Sequence, residues 1–153
     1  MITYTFEPWE TIAPELLQLM ESVHAPEASQ FQEHMRVKLD EEHHQRLDAV
    51  GILRNLAVRD DGRLIGYHIA ALMNNPHFVG IRGAYVLHYF LEPTSRGQGV
   101  GSQMFRLAEE DLRGQGIECV WSGAKTHLPF ARLYEHLGWT AVEVTYSKWI
   151  GKE

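Results

Sequence analysis

Three alternate glycines, Gly97, Gly99 and Gly101, stand between an apolar run ending at Leu91 and a helical pattern opening at Val100. A strand, a glycine turn and a helix in that order leave the first amides of the helix without intrahelical partners, at the positive end of the helix dipole. Such a turn is an anion site that a ligand's phosphates can approach closely. Arg96-Gly97-Gln98-Gly99-Val100-Gly101-Ser102 does not fit a Walker A loop, because no lysine follows Gly101. Nor does it fit the dinucleotide fingerprint, which needs glycine where Ser102 stands. Taken alone, the same residues also describe a left-handed turn that merely caps a helix.

The rest of the chain frames this unit. Ile2 to Phe6 alternates as a strand, and Thr11 to His24 carries apolar residues at helical spacing, with Pro14 tolerated near its start. Ala25-Pro26 is read as a break, followed by a charged second helix from Glu27 to Ala49 with a thin apolar stripe that includes Phe31, Met35 and Leu39. Leu53 to Arg59 and Leu64 to Met73 flank Asp60-Asp61-Gly62 as a hairpin. Ala84 to Leu91 is a strand expected to be buried on both faces. Val100, Met104, Ala108 and Leu112 mark the inner face of the next helix, then come a strand over Ile117 to Ser122, a helix over Leu128 to Leu137 and a last strand over Thr140 to Ile150. The order β α α β β β α β α β predicts an α/β (mixed α+β) fold, one mixed sheet with helices on both faces, in a single domain spanning residues 1–153.

Composition excludes several classes of function. A net charge of −6 gives no bulk attraction to nucleic acid or to an anionic membrane. Cys119 is the only cysteine, which rules out an intramolecular disulfide framework and multi-cysteine metal sites and predicts a reducing, cytoplasmic setting. The first residues carry no basic signal region and no run is long and apolar enough to span a bilayer, so no membrane role is expected. His43 and His44 are adjacent, so on a helix they diverge by about 100° and do not share an ion. They are read, with His34, as a solvated face, and no metal site is predicted. Cys119 is read as core packing, and Glu33, Glu41 and Glu42 either attract a cationic amine or keep their helix solvated.

Three stretches in order carry a resemblance: Arg96, Gly99 and Gly101 in the glycine turn, Leu91-Glu92-Pro93 just before it, and Leu133-Tyr134-Glu135-His136-Leu137-Gly138-Trp139 beyond. With them the chain resembles the GNAT superfamily of acyl-CoA-dependent N-acyltransferases over roughly Leu53 to Ile150. Arg59 to Tyr67 and Tyr146 to Trp149 further resemble small bacteriophage-encoded acetyltransferases. The resemblance implies transfer of an acetyl group from acetyl-CoA, the co-substrate, to a primary amine of a small molecule or protein. It implies that amides from Gln98 to Ser102, with Arg96, Gly97, Gly99, Val100 and Gly101 in the same turn, hold the pyrophosphate, and that Phe90 and Leu91 meet the pantetheine arm.

Chemistry then asks for an acid and a base. A primary amine near pKa 10.4 is almost wholly protonated at pH 7, so a group or a water relay must take its proton, and the departing thiolate needs a donor. By resemblance Tyr134 is the acid, and a backbone N–H near Leu91 meets the charge that builds on the thioester oxygen. His88 is the candidate base, with Tyr85 and ordered water as alternatives, since Leu87 stands where phage-type relatives often place an acid. His127 replaces the family's asparagine and Phe130 its alanine, which alters the expected coenzyme contacts at that edge. A catalytically silent member that keeps the coenzyme pocket as a binding or host-interaction protein is the second reading, and acylation of an aminated nucleic-acid base a third. So few residues follow Gly138 that the final sheet edge is expected to be open or completed in a homodimer.

Overall fold

The computed structural model describes residues 1–29 and 33–152, so the expected role of Phe31 lies outside the described residues. Five strands form one sheet in sequence order: β1 (Ile2–Phe6), β2 (Leu53–Asp60), β3 (Arg63–Leu72), β4 (Gly83–Leu91) and β5 (Cys119–Trp121). β1 to β4 are antiparallel and β4 with β5 is parallel, as a helical crossover requires. The helices are α1 (Trp9–Leu19), which runs through a π turn (Met20–His24) into α2 (Ala25–Ala28), then α3 (Glu41–Ala49), α4 (Val100–Gly114) and α5 (Ala131–His136). The predicted mixed fold is therefore present.

Each face of the sheet buries its own cluster. Ile12 and Leu16 of α1 meet Ala57, Tyr67, Ile69 and Phe90 on one side. On the other, Met104, Phe105 and Ala108 of α4 and Tyr134 of α5 meet Leu56, Val58, Ile65 and Leu91. Two register shifts adjust which side chains go where. Val58 pairs with Gly66 and Arg59 with Leu64, so Ile65 is an extra residue in β3; Ile69 pairs with His88 and Ala70 with Val86, so Leu87 is the extra residue in β4.

Four expectations need correction. The first helix does not break at Ala25-Pro26: the helical backbone runs on through the π turn to Ala28, with Pro26 inside it. A continuous helix from Glu27 to Ala49 does not form, because α2 ends at an extended Ser29 and α3 starts only where the Asp40 side chain caps the His43 amide. Residues 33–38 are exposed, and a helix without a face to bury has little to hold it. β4 is not buried along its length: Tyr85 to Tyr89 are half-buried or exposed, and only the residues at its two ends are buried. Thr140 to Ile150 makes no strand; Val142 and Val144 are 74% and 64% exposed, so their alternation finds no surface to cover.

Candidate functional site

The short pairing of β4 with β5 creates the site. Past Tyr85 the two strands separate, and a cavity of about 400 Å³ opens between the end of β4, the glycine turn and α5. Phe90, Leu91, Arg96, Gly97, Gly99, Gly101 and Ser102 all line it, together with Tyr89, Phe105, Phe130 and Leu133. Gln98, Val100 and His127 do not line it, nor do Tyr134 and His88. Gln98 turns back to the Thr94 carbonyl at 3.3 Å, the Val100 carbonyl accepts from the Tyr4 hydroxyl at 3.4 Å, and His127 Nε2 lies 3.1 Å from the Glu27 carbonyl.

The turn owes its shape to its glycines. Gly97 and Gly99 take φ of +79° and +81°, a region where a side chain costs roughly 1–2 kcal/mol. A Cβ on either would meet nothing within 4 Å, so space is left over the turn. No side chain caps α4, and among the described residues the amides from Gly97 to Ser102 donate to no protein acceptor. Unpaired donors over an open cavity fit a diphosphate, and the apolar strip beside Leu91 fits a slender acyl-bearing arm.

Arg96 is committed elsewhere. Its Nε donates to the Leu91 carbonyl at 2.8 Å, and its two terminal nitrogens grip Glu27 of α2 at 2.7 and 2.8 Å. The guanidinium lies 5.6 Å from the ring centres of Phe90 and Phe130. It thereby braces the end of β4 and ties α2 to the glycine turn, and it holds the Glu27 carboxyl below the usual carboxylate range. Glu27 was not apparent from the sequence.

The two candidate catalytic side chains stand on opposite faces of β4. Tyr134 is 9% exposed, hydrogen-bonds Ser122 through a very short contact, and lies edge-on to Tyr89, which lines the cavity and donates to the Gly123 carbonyl at 2.9 Å. Burial pushes the Tyr134 phenol up, so it stays protonated at neutral pH. His88 faces the helix α1 side, where its Nε2 lies 3.1 Å from His44 Nε2 and the two rings stack at 5.3 Å. Burial, and to a lesser degree His44 and His24, push His88 down to about 4, so it is neutral at pH 7.

Tyr85, the alternative base, stacks on Trp121 at 5.1 Å where β4 and β5 still pair, away from the gap. Glu92 is held by Arg63 at 2.6 and 2.9 Å. His44, read as part of a solvated face, is 7% exposed and sandwiched against Trp9 at 4.6 Å; no local pattern signals it. His34 is not on the same helix and stacks instead on Trp149 at 4.7 Å. Cys119 is half-buried and free. No helix among the described residues is long and apolar enough to cross a membrane.

A family model described as the acetyltransferase (GNAT) family matches residues 14–139. No curated protein sequence matches. Among solved structures, a GCN5-related N-acetyltransferase from Ralstonia eutropha JMP134 superposes with a TM-score of 0.81 at 16% identity, over 99% of this chain and 100% of that one. A predicted acetyltransferase with acetyl-CoA from Clostridium acetobutylicum gives 0.72 at 18% identity, over 97% and 96%. A ribosomal-protein-alanine N-acetyltransferase from Brucella melitensis biovar Abortus 2308 gives 0.71 at 20% identity, over 99% and 100%. At such identities the structural likeness establishes the fold alone. The family match covers most of the chain and includes the glycine turn and α5, so this protein belongs to the GNAT family of acetyltransferases.

Proposed function

We propose that this protein transfers an acetyl group from acetyl-CoA to a primary amine of a small molecule or protein, both substrates being bound at once. The observation that carries the reading is the row of unpaired amides from Gly97 to Ser102 over a cavity lined by the end of β4 and by α5. Structural neighbours acting on a protein amine, and one seen with acetyl-CoA, support the same choice of substrates. When bound, acetyl-CoA supplies an activated thioester and a thiol leaving group.

The chain's own residues would divide the remaining work by face. Gly97 to Ser102 bind and orient through their N–H groups, and Leu91 and Phe105 exclude water from the acyl end of the cavity. Tyr134 Oη, kept protonated by burial, is the proton donor on the α4 side. His88, neutral at pH 7, is the proton acceptor on the α1 side, from which the amine enters. The kinship with bacteriophage-encoded acetyltransferases rests on the Arg59 to Tyr67 and Tyr146 to Trp149 stretches alone, and action in a reducing cytoplasm on the lone Cys119.

The test is calorimetric titration with acetyl-CoA followed by a free-thiol assay against polyamines, amino acids, lysine peptides and aminoglycosides. Saturable binding with amine-dependent thiol release is expected. Binding without release across the whole panel is the result a silent coenzyme-binding member would give.

A further inference from the structure

The tautomer of His88 is set by a chain of contacts that begins at the start of α3. Asp40 caps that helix with its side chain, and its carbonyl oxygen lies 2.8 Å from His44 Nδ1. A carbonyl only accepts, so His44 carries its hydrogen on Nδ1, and in the neutral ring Nε2 is bare. That bare nitrogen lies 3.1 Å from His88 Nε2, which must therefore carry the hydrogen between them. The Nδ1 of His88 is left as a lone pair. It has no protein partner among the described residues, and the only buried side-chain polar atom without one is Asn55 Oδ1, so solvent reaches His88 Nδ1. Trp9 stacks on His44 and fixes the ring plane.

We propose that His44 is a positioning residue: held by the Asp40 carbonyl, it keeps His88 in the Nε2–H tautomer and so presents Nδ1 as the atom that takes the proton from the acceptor amine. This inference rests on the reading of His88 as base given above. The amine lone pair forms the new N–C bond while the thioester C–S bond breaks, its electron pair leaving with the sulfur, which takes a proton from Tyr134 Oη; the amine nitrogen becomes far more acidic as its lone pair is drawn into the new bond. Its N–H bond breaks with the electron pair staying on nitrogen, and the proton bonds to His88 Nδ1. The resulting imidazolium keeps its Nε2–H donated to His44, so the contact survives the change in charge. His44 from α3 and His24 from the π turn are the titratable groups that bear on His88 here.

Two measurements separate this from a purely structural role. Nitrogen-15 NMR of the histidine rings in the wild-type protein at pH 7 should show His88 protonated at Nε2 and bare at Nδ1; the opposite tautomer would overturn the proposal, whether or not the enzyme turns over. In thiol-release kinetics, His44→Phe keeps a ring against Trp9 but removes the acceptor, and is expected to lower kcat roughly 10-fold to 100-fold with KM for acetyl-CoA unchanged. His44→Gln, which can accept from His88 Nε2, should restore most of it. Equal losses in both variants with equal thermal midpoints would overturn the proposal. A wild type with the expected tautomer and no turnover on any amine would defeat the transferase reading while leaving the orientation of His88 standing.

Discussion

The two faces of β4 are built from different materials. On the α4 side, glycines and Tyr89 line an open cavity, and Tyr134 lies behind Tyr89, edge-on to its ring. On the α1 side, His24, His44 and His88 stack among Trp9, Tyr67 and Phe90, with His24 Nδ1 2.5 Å from the Tyr67 hydroxyl. The first carries unpaired amides and a phenol that burial keeps protonated; on the second, burial keeps His24 and His88 neutral at pH 7. Tyr134 and His88 thus lie on opposite sides of one strand, where burial raises the one group and lowers the other.

The sharpest challenge to that division is Tyr134→Phe. Loss of the buried donor should cut kcat roughly 100-fold or more, within the range for a general acid, while KM for acetyl-CoA holds. Steady-state thiol release over a range of acetyl-CoA concentrations checks both halves, and an unchanged kcat would remove the phenol from the donor face.

Gly66→Ala tests whether the mouth of the cavity depends on close strand contact. A methyl there would lie 2.7 Å from the Phe90 carbonyl oxygen and 2.9 Å from a Leu91 methyl, pressing on the end of β4. About 1–3 kcal/mol of lost stability is expected by denaturant unfolding, with weaker acetyl-CoA binding.

The imidazole face has its own signature in acid. Burial holds His24 and His88 on that face, and His68 of β3, whose ring meets Phe105 on the α4 side, at about 4 in the folded chain against 6.5 when free. Between those values the unfolded chain binds more protons, so stability is full above pH 6.5 and is lost as pH falls towards 4, by up to about 1.4 kcal/mol per pH unit for each histidine. Urea midpoints across that window measure the slope; a flat profile would mean that these rings are not held neutral.

What the sequence made legible follows from the range over which each feature is determined. The glycine turn, the end of β4 and Tyr134 are local motifs, and the strand-turn-helix unit around them could be read directly. The hairpin was equally plain, since Asp61 and Gly62, both at positive φ, close it within two residues. His44 was not legible, because its burial depends on α3 docking beside Trp9 and β4, with the partner ring of His88 44 positions away. The clasp of Glu27 by Arg96 spans 69 positions and is silent in any local pattern for the same reason. The tail misled in the opposite sense: Thr140 to Ile150 has a strand's alternation, but a strand needs a neighbour, and β5 extends for only three residues.

The central claim is that the opening amides of α4 grip the diphosphate of a coenzyme beside the gap in the sheet. Amide proton and nitrogen shifts of the labelled protein, followed through a titration with acetyl-CoA, address it residue by residue. Gly97, Gln98, Gly99, Val100, Gly101 and Ser102 are expected to move first and furthest, with Leu91 close behind. Saturating acetyl-CoA that leaves those amides in place, or that moves only residues remote from the turn, would contradict it.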